Sequence, residues 1–312
     1  MRATMRAMVR ERTWRVRHGI RWRGHAALCA LAALMAPGTP AAQDYAAEIE
    51  AWRVDREARL QADDGWLTVA GLFFLNEGDN SFGSSPLNDI LLRTGPAEAG
   101  VFTLRDETIT VRAPEGGTLS IDGRDVEAAQ LWPYEGRERP TIALGPLSLF
   151  GHYSGDRLAI RMRDRESDVR RGFTGLRWYP VDEAFRVHGR YIPHDEPRTM
   201  RLPNILGDVE TFRTGGSVAL TVGGAELRMT AVDSDDRLWF IFRDLTSGSE
   251  TYPAARFLYA DAPDADGRTT VDFNRAYNPP CAFNPHTTCP LPPRENRLPV
   301  RVEAGELDYG SH

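Results

Sequence analysis

Side chains able to act in catalysis or ligand binding are concentrated in the last quarter of the 312-residue chain, where acids, amides, arginines and a phenol lie close together in sequence. A carboxylate in a partly dry cleft has a raised pKa and acts as a general base near neutral pH. We therefore take four acids as candidate bases of a hydrolase. They are Asp244, Glu250, Asp272 and Glu306.

The same region carries side chains that bind small polar or anionic molecules through guanidinium, amide and phenol groups. The candidate ligand-binding residues are Arg256, Asn274, Arg275, Tyr277 and Asn278. Pro279 and Pro280 then extend the backbone, and the polar groups before them need partners when buried. Two alternatives stay open: a pocket for a ligand, and a network that satisfies itself and holds a proline-rich loop.

A second arginine-rich segment lies near the middle of the chain. Arg161 and Arg163 belong to a predicted strand, in which alternate side chains share one face. Two guanidinium groups on one face can bind a carboxylate or phosphate bidentately, so both are further candidate ligand-binding residues. The alternative is that they pair with neighbouring acids in a solvated network. Those acids are Asp164, Glu166 and Asp168.

Two cysteines, Cys281 and Cys289, close a short loop near the carboxyl terminus. In an exported protein this pair predicts a disulfide, worth about 2 to 3 kcal/mol in the chain-entropy model. His286 between them also allows a metal site with Glu306 as the fourth ligand, although the spacing favours it less. We predict a disulfide, no metal and no cofactor.

Missing residues and motifs exclude several classes of enzyme. The sequence contains no lysine, which excludes Walker phosphate loops, pyridoxal-phosphate Schiff bases and Ser-x-x-Lys acyl transfer. It also lacks the Gly-x-Gly-x-x-Gly fingerprint, the Gly-x-Ser-x-Gly elbow and the His-Glu-x-x-His zinc motif.

The amino terminus has the pattern of a secretory signal peptide over residues 1–42. A basic region precedes an apolar run, Ala26–Ala36, that is too short to span a membrane. Removing it takes away eight arginines and one glutamate and changes the formal net charge from −6 to −13. We expect a periplasmic or secreted protein that binds no nucleic acid and inserts in no membrane after the signal is removed.

The remaining residues, 43–312, predict one mainly β domain with a single amphipathic helix. Tyr45, Ile49, Trp52 and Leu60 recur at helical spacing, and Gly65 ends that helix. Short apolar runs alternate afterwards with turn pairs such as Asp122-Gly123 and Gly223-Gly224, which predicts antiparallel sheets in a sandwich or barrel-like arrangement. The proline cluster at 193–204 is either one long loop, which we favour, or a lobe boundary. The predicted strands are 101–104, 108–111, 119–121, 148–150, 158–162, 218–222 and 238–242.

Several phrases together resemble the bacterial and archaeal domain-of-unknown-function family 1684. They are the residues 65–72, 80–83, 244–252, 256–257, 272–281, 289–296 and 305–306, of which Asp-Phe-Asn-Arg-Ala-Tyr-Asn-Pro-Pro-Cys at 272–281 is the most specific. The resemblance covers nearly all of residues 44–306 and implies one coherent domain without an assigned activity. It also implies relatives without export signals, in which the cysteines stay reduced. From the residues themselves we favour a pocket in the carboxy-terminal block that binds a small polar or anionic ligand. Two alternatives stay open: a hydrolase with a carboxylate general base, and a non-catalytic envelope scaffold or interaction protein.

Overall fold

The structure is a computed structural model that describes residues 40–155 and 157–310. Residues 1–39 of the predicted signal peptide lie outside the described residues. Within the described ranges, no helix is both long enough and apolar enough to cross a membrane.

The predicted amino-terminal helix is confirmed as α1, Pro40–Gln61. Its buried side chains recur every three or four residues, which places them on one face. This face contains Tyr45, Ile49, Arg53, Arg56 and Leu60. Beyond the helix the chain turns so tightly at residue 65 that a Cβ there would lie 2.2 Å from the carbonyl oxygen of Leu60, which is why a glycine occupies the position.

The remaining elements are mostly strands, with one further short helix, α2 at Asp168–Arg171. Turns of 3-10 helix occupy Trp66–Thr68, Glu183–Phe185, Phe273–Arg275, Pro280–Ala282 and Arg294–Asn296. The strands in chain order are β1 Val69–Phe74, β2 Gly78–Gly83, β3 Ile90–Leu91, β4 Gly100–Arg105, β5 Thr108–Arg112, β6 Leu119–Ile121, β7 Arg124–Val126, β8 Ala128–Trp132, β9 Ile142–Leu144, β10 Leu147–Ser154, β11 Arg157–Asp164, β12 Arg186–Pro203, β13 Val209–Val222, β14 Ala225–Ser234, β15 Arg237–Phe242, β16 Arg256–Asp261 and β17 Arg268–Asp272.

Two sheets from the first half of the chain form a sandwich. The first sheet has the order β1-β11-β10-β9-β6-β7, and the second has the order β3-β2-β4-β5-β8. Their pairs are antiparallel except β2 with β3. Phe82 and Phe102 of the second sheet and Leu149 and Ile160 of the first belong to one buried cluster, so the two inner faces share a core.

The second half of the chain forms one sheet with the order β16-β15-β14-β13-β12-β17. We call it the barrel sheet because its two edge strands, β16 and β17, come close together and nearly close it. Its interior holds an apolar cluster that includes Val218, Phe240, Leu258, Val271 and Phe273. The predicted mainly antiparallel β fold, with a sandwich and a barrel-like sheet, is therefore confirmed.

The favoured loop at 193–204 is wrong, because residues 193–203 belong to the long strand β12. The pairing of β12 with β13 is interrupted between Pro193 and Arg198, and Pro203 is the last residue of the strand. Proline has no backbone N–H for the ladder, so the prolines lie where the ladder is irregular or ends.

The predicted strands lie within β4, β5, β6, β10, β11, β13 and β15. The hairpin turn between β13 and β14 requires the two glycines that predicted it, since Gly223 and Gly224 have φ of 56° and 81°.

After β17 the chain runs over the outside of the barrel sheet in short turns and extended segments. Cys281 and Cys289 pack there against Ile241 and Phe257. Phe283 packs with Leu60 at the end of α1. The helix, the carboxy-terminal segment and the outer face of β15 and β16 thereby meet in one region.

Candidate functional site

The predicted ligand-binding residue Arg256 lies in a buried structural network. It is 0% exposed, and its Nη1 donates to Asp244 Oδ1 at 3.1 Å and to the Val302 carbonyl oxygen at 3.0 Å, while Nη2 donates to the Ala304 carbonyl oxygen. Asp244 also accepts the Val302 N–H at 2.7 Å. Burial lowers the pKa of Arg256, and the adjacent Asp244 opposes this shift. The pair fastens the last segment of the chain to the barrel sheet.

Asp272 and Asn274 form a second network with helix α1. The Tyr45 hydroxyl donates to Asp272 Oδ1 at 2.8 Å, and Asn274 Nδ2 donates to the Asp182 carbonyl oxygen at 2.8 Å. Burial and the Asp272 hydrogen bond raise the pKa of Tyr45. These side chains hold the helix to the end of β17.

Asn278 and Glu306 form a third network around Arg56. Arg56 Nη2 donates to the Asn278 carbonyl oxygen at 2.9 Å, and its Nε lies 3.4 Å from Glu306 Oε2. Asn278 Nδ2 donates to the Leu307 carbonyl oxygen at 2.8 Å. Glu306 is fully buried, and burial raises its pKa while Arg56 opposes the rise. Glu306 therefore has the raised pKa of a general base but no contact with solvent.

The fourth candidate base, Glu250, is partly exposed and accepts the Tyr179 hydroxyl at 2.6 Å together with Arg301. Both hydrogen bonds stabilise the carboxylate and lower its pKa. A carboxylate with a lowered pKa is a weak base at neutral pH.

The predicted disulfide is not present in the described residues. Cys281 and Cys289 are both buried thiols, and the backbone N–H of Cys281 donates to Cys289 Sγ at 3.2 Å. Burial raises the pKa of Cys289 well above its usual value. Over residues 40–155 and 157–310 no three His, Cys, Asp or Glu side chains gather as metal ligands, so His286 and Glu306 do not join the two thiols.

A cavity of about 790 Å³ opens where helix α1, strands β15 and β16 and the cysteine loop meet. We call it the aromatic cavity. Its lining includes Trp52, Arg56, Arg59, Trp66, Glu210, Arg237, Trp239, Phe257, Tyr259, Asp261, Arg275, Tyr277 and Cys289. Among the predicted ligand-binding residues, Arg275 and Tyr277 line it, and none of the four candidate bases does.

The rings of the cavity form a continuous aromatic wall. Trp239 and Tyr259 are register partners on β15 and β16, and their rings stack with centroids 6.1 Å apart. Tyr259 stacks in turn on Tyr277 at 6.4 Å. Such a wall offers flat apolar surface to a ring or a sugar face. The indole N–H of Trp239 is buried without a hydrogen-bond acceptor in the described part of the chain.

Two arginines lie over the rings of this wall. The Arg237 guanidinium carbon lies 4.2 Å from the centroid of the Tyr259 ring, and that of Arg56 lies 4.6 Å from the Tyr277 ring. The guanidinium groups of Arg59 and Arg237 form no hydrogen bond or ion pair within the described ranges. The other two arginines of the lining are paired, Arg56 with Glu306 and Arg275 with Glu48 and Asp272. The lining also contains two acids, Glu210 and Asp261, so the cavity is not positive as a whole but offers two guanidinium groups without an ion pair.

Most residues of the cavity wall were not predicted from the sequence, although several of them belong to two recognisable sequence patterns. Trp52, Arg56 and Arg59 follow i, i+4, i+7 spacing on one face of α1, and Arg237 and Trp239 alternate on the outer face of β15. Neither pattern indicates that helix and strand meet, since they are separated by most of the chain.

Arg161 and Arg163 lie outside the aromatic cavity, on the outer face of β11. The predicted alternative, ion pairs with neighbouring acids, does not form. Asp164 pairs with Arg93, and Asp168 pairs with Arg171.

Residues 171–307 match a family model described as "Protein of unknown function (DUF1684)". The match contains the specific phrase at 272–281 and does not include the phrases at 65–72 and 80–83. The solution NMR structure of an uncharacterized protein from Haloarcula marismortui is 31% identical over 46% of this chain and 81% of that chain, with a TM-score of 0.39. No curated protein matches the chain.

Proposed function

The chain belongs to the family of proteins of unknown function DUF1684, and we propose that it binds a small organic anion in the aromatic cavity. The observation that carries the proposal is the combination of a stacked aromatic wall with arginines that have no carboxylate partner. A ring or sugar face packs on Trp239, Tyr259 and Tyr277, and its anionic group is bound by Arg237 and Arg59.

The size and charge of the cavity support a small molecule. Ligand pockets commonly measure about 300 to 1,000 Å³, and a few polar groups in a largely apolar wall give them specificity. At about 790 Å³ the aromatic cavity falls in that range. The guanidinium groups of Arg59 and Arg237, which form no ion pair within the described residues, favour an anion over the neutral analogue of the same shape.

The positions of the candidate bases favour binding over hydrolysis. Asp244, Asp272 and Glu306 are engaged in buried networks with Arg256, Tyr45 and Arg56, and none of them lines the aromatic cavity. A hydrolase needs a base within hydrogen-bond reach of its water or substrate.

Export remains part of the proposal, since the basic region and apolar run of residues 1–42 are typical of a secretory leader. Intact-mass measurement of the envelope-located protein tests it. Cleavage near Ala42 supports export, and a full-length chain in the cytoplasm contradicts it.

The binding proposal is tested by titrating the full chain with 2-naphthoate, a flat ring with one anionic group, and with the neutral isostere 2-naphthamide. Calorimetry or Trp fluorescence should show saturable binding of the naphthoate, with the amide weaker by about tenfold or more. Arg237→Ala should weaken naphthoate binding by about tenfold and leave amide binding unchanged, because it removes the charge and keeps the aromatic wall.

The matched control is Arg124→Ala, which removes an exposed arginine of β7 remote in sequence from every cavity residue. It should bind both probes as the wild type does. Absence of saturable naphthoate binding, or equal binding by wild type and Arg237→Ala, would overturn the proposal.

A further inference from the structure

The outer face of the first sheet gathers three arginines around one phenylalanine ring. Arg161 and Arg163 alternate on β11 with Ile160 and Met162, which fill the sandwich core, so the guanidinium groups project on the outer face. Phe150 of β10 is the register partner of Arg161. We call Arg139, Arg161 and Arg163 the guanidinium cluster.

The ring of Phe150 brings two of these side chains together. The guanidinium carbon of Arg139 lies 3.6 Å from its centroid, and that of Arg163 lies 5.5 Å from it. Arg161, opposite Phe150 in the ladder, is close enough to both for their charges to act on it. Stacking on a ring leaves the N–H edges of a guanidinium available to a planar or tetrahedral anion.

Arg161 is buried, Arg139 and Arg163 are half-buried, and buried nitrogens of all three have no hydrogen-bond acceptor in the described residues. Arg161 is 6% exposed, and its Nε and Nη2 are buried with no hydrogen-bond acceptor; the same holds for Nε of Arg139 and of Arg163. No ion pair in residues 40–155 and 157–310 includes any of the three. A buried guanidinium without a counter-ion is costly, and two half-buried guanidinium groups beside Arg161 raise that cost, so the arrangement favours binding of a compensating charge.

The surrounding groups do not supply that charge. Burial, Arg161 and Arg139 lower the pKa of His152 to about 3, so this neighbour is neutral at neutral pH. Glu210 and Asp64 act on Arg161 and Arg163 only from beyond ion-pair distance, and Glu210 accepts a hydrogen bond from Asn204. His286, Cys289 and Tyr134 complete the groups that act on the cluster.

We propose that the guanidinium cluster is a second binding site, for a tetrahedral dianion such as a phosphate or sulfate group. Guanidinium groups donate paired N–H bonds to such oxygens, and neutral His152 adds a further donor. The dianion would balance two of the three charges and accept hydrogen bonds from the buried N–H groups. None of the three arginines lines the aromatic cavity, although Glu210 and Cys289, which act on Arg161, do line it. The proposal goes beyond the organic-anion function, and variants of Arg139 and Arg161 test it separately from that function.

The test is thermal unfolding of the full chain at pH 8, with inorganic phosphate replacing chloride at constant ionic strength. The wild-type Tm should rise saturably with phosphate, because a ligand that binds only the folded state stabilises it. Arg161→Met should weaken phosphate binding by about tenfold or more. The matched control is Arg157→Met on the same strand, since Arg157 is paired with Asp208 at 2.8 Å and should keep the full response.

A second measurement covers the case in which Arg161→Met does not fold. Arg139→Gln changes a half-buried side chain. Phosphorus NMR should show that this variant binds phosphate more weakly than the wild type, whereas Arg237→Ala should bind phosphate as the wild type does. The same measurements are made with inorganic sulfate and with phenyl phosphate. Tighter binding of phenyl phosphate identifies a phosphate ester as the occupant, and tighter binding of the inorganic ions identifies the free anion. A wild-type Tm that does not respond to any of the three, or an equal loss of response in Arg157→Met, would overturn the proposal.

Discussion

Two buried arginines in different regions of this molecule have opposite surroundings. Arg256, under the carboxy-terminal segment, is 0% exposed and donates to Asp244 and to two carbonyl oxygens, and of its nitrogens only Nε is buried without an acceptor in the described residues. Arg161, on the outer face of the sandwich, is 6% exposed and has two buried N–H-bearing nitrogens without an acceptor. Burial and residue type are nearly the same, so the hydrogen-bond partners alone distinguish Arg256, which has a structural role, from Arg161, for which we propose a bound anion.

The comparison also changes the meaning of the polar carboxy-terminal block. Its side chains were predicted either to bind a ligand or to form a network that satisfies itself, and several of them hydrogen-bond to other parts of the chain, as Asn274 does to Tyr45 of helix α1 and to Asp182. That framework builds the aromatic cavity, because it positions α1, Arg275 and Tyr277 against the outer face of β15 and β16.

The largest expected effect comes from breaking the buried ion pair between Asp244 and Arg256. Asp244→Asn leaves the Arg256 charge buried without a counter-charge and should lower the free energy of unfolding by roughly 3 to 5 kcal/mol. Urea denaturation measures it. The control is Asp266→Asn, since the Asp266–Arg268 pair is exposed and its loss should cost less than about 1 kcal/mol. Equal losses in the two variants would contradict a structural role for Arg256.

A smaller effect is expected on the pH dependence of stability, through His152, which lies beside the guanidinium cluster. The pKa of His152 falls from 6.5 in the unfolded chain to about 3 in the fold. The unfolded state therefore binds more protons between these values, and stability should fall as the pH drops below about 6.5. His152→Gln should reduce that fall by about 2 kcal/mol between pH 7 and pH 5, measured by urea denaturation without phosphate. The same pH dependence in both proteins would show that the cluster does not act on His152.

Local patterns in the sequence predicted much of the fold. The spacing of Tyr45, Ile49 and Leu60 predicted α1, and Gly223-Gly224 predicted a hairpin, because helix period and turn dihedrals are properties of short segments. The prolines of β12 led to the wrong prediction of a loop, because an interruption in the pairing of β12 with β13 accommodates them. Such an interruption depends on the partner strand and is not visible in the local sequence.

The site was harder to predict because pairing between distant residues decides it. Arg256 and Arg161 look alike in sequence, and only the fold places Asp244 beside the first and Phe150 beside the second. The cysteine spacing predicted a disulfide, whereas the folded loop directs the Cys289 sulfur toward the backbone N–H of Cys281.

The most direct test of the organic-anion function is a crystal structure of the protein with 2-naphthoate. The account predicts the ring against Trp239 and Tyr259, with the carboxylate in hydrogen-bond contact with Arg237 or Arg59. A probe seated on another surface, with the aromatic cavity filled only by water, would contradict it.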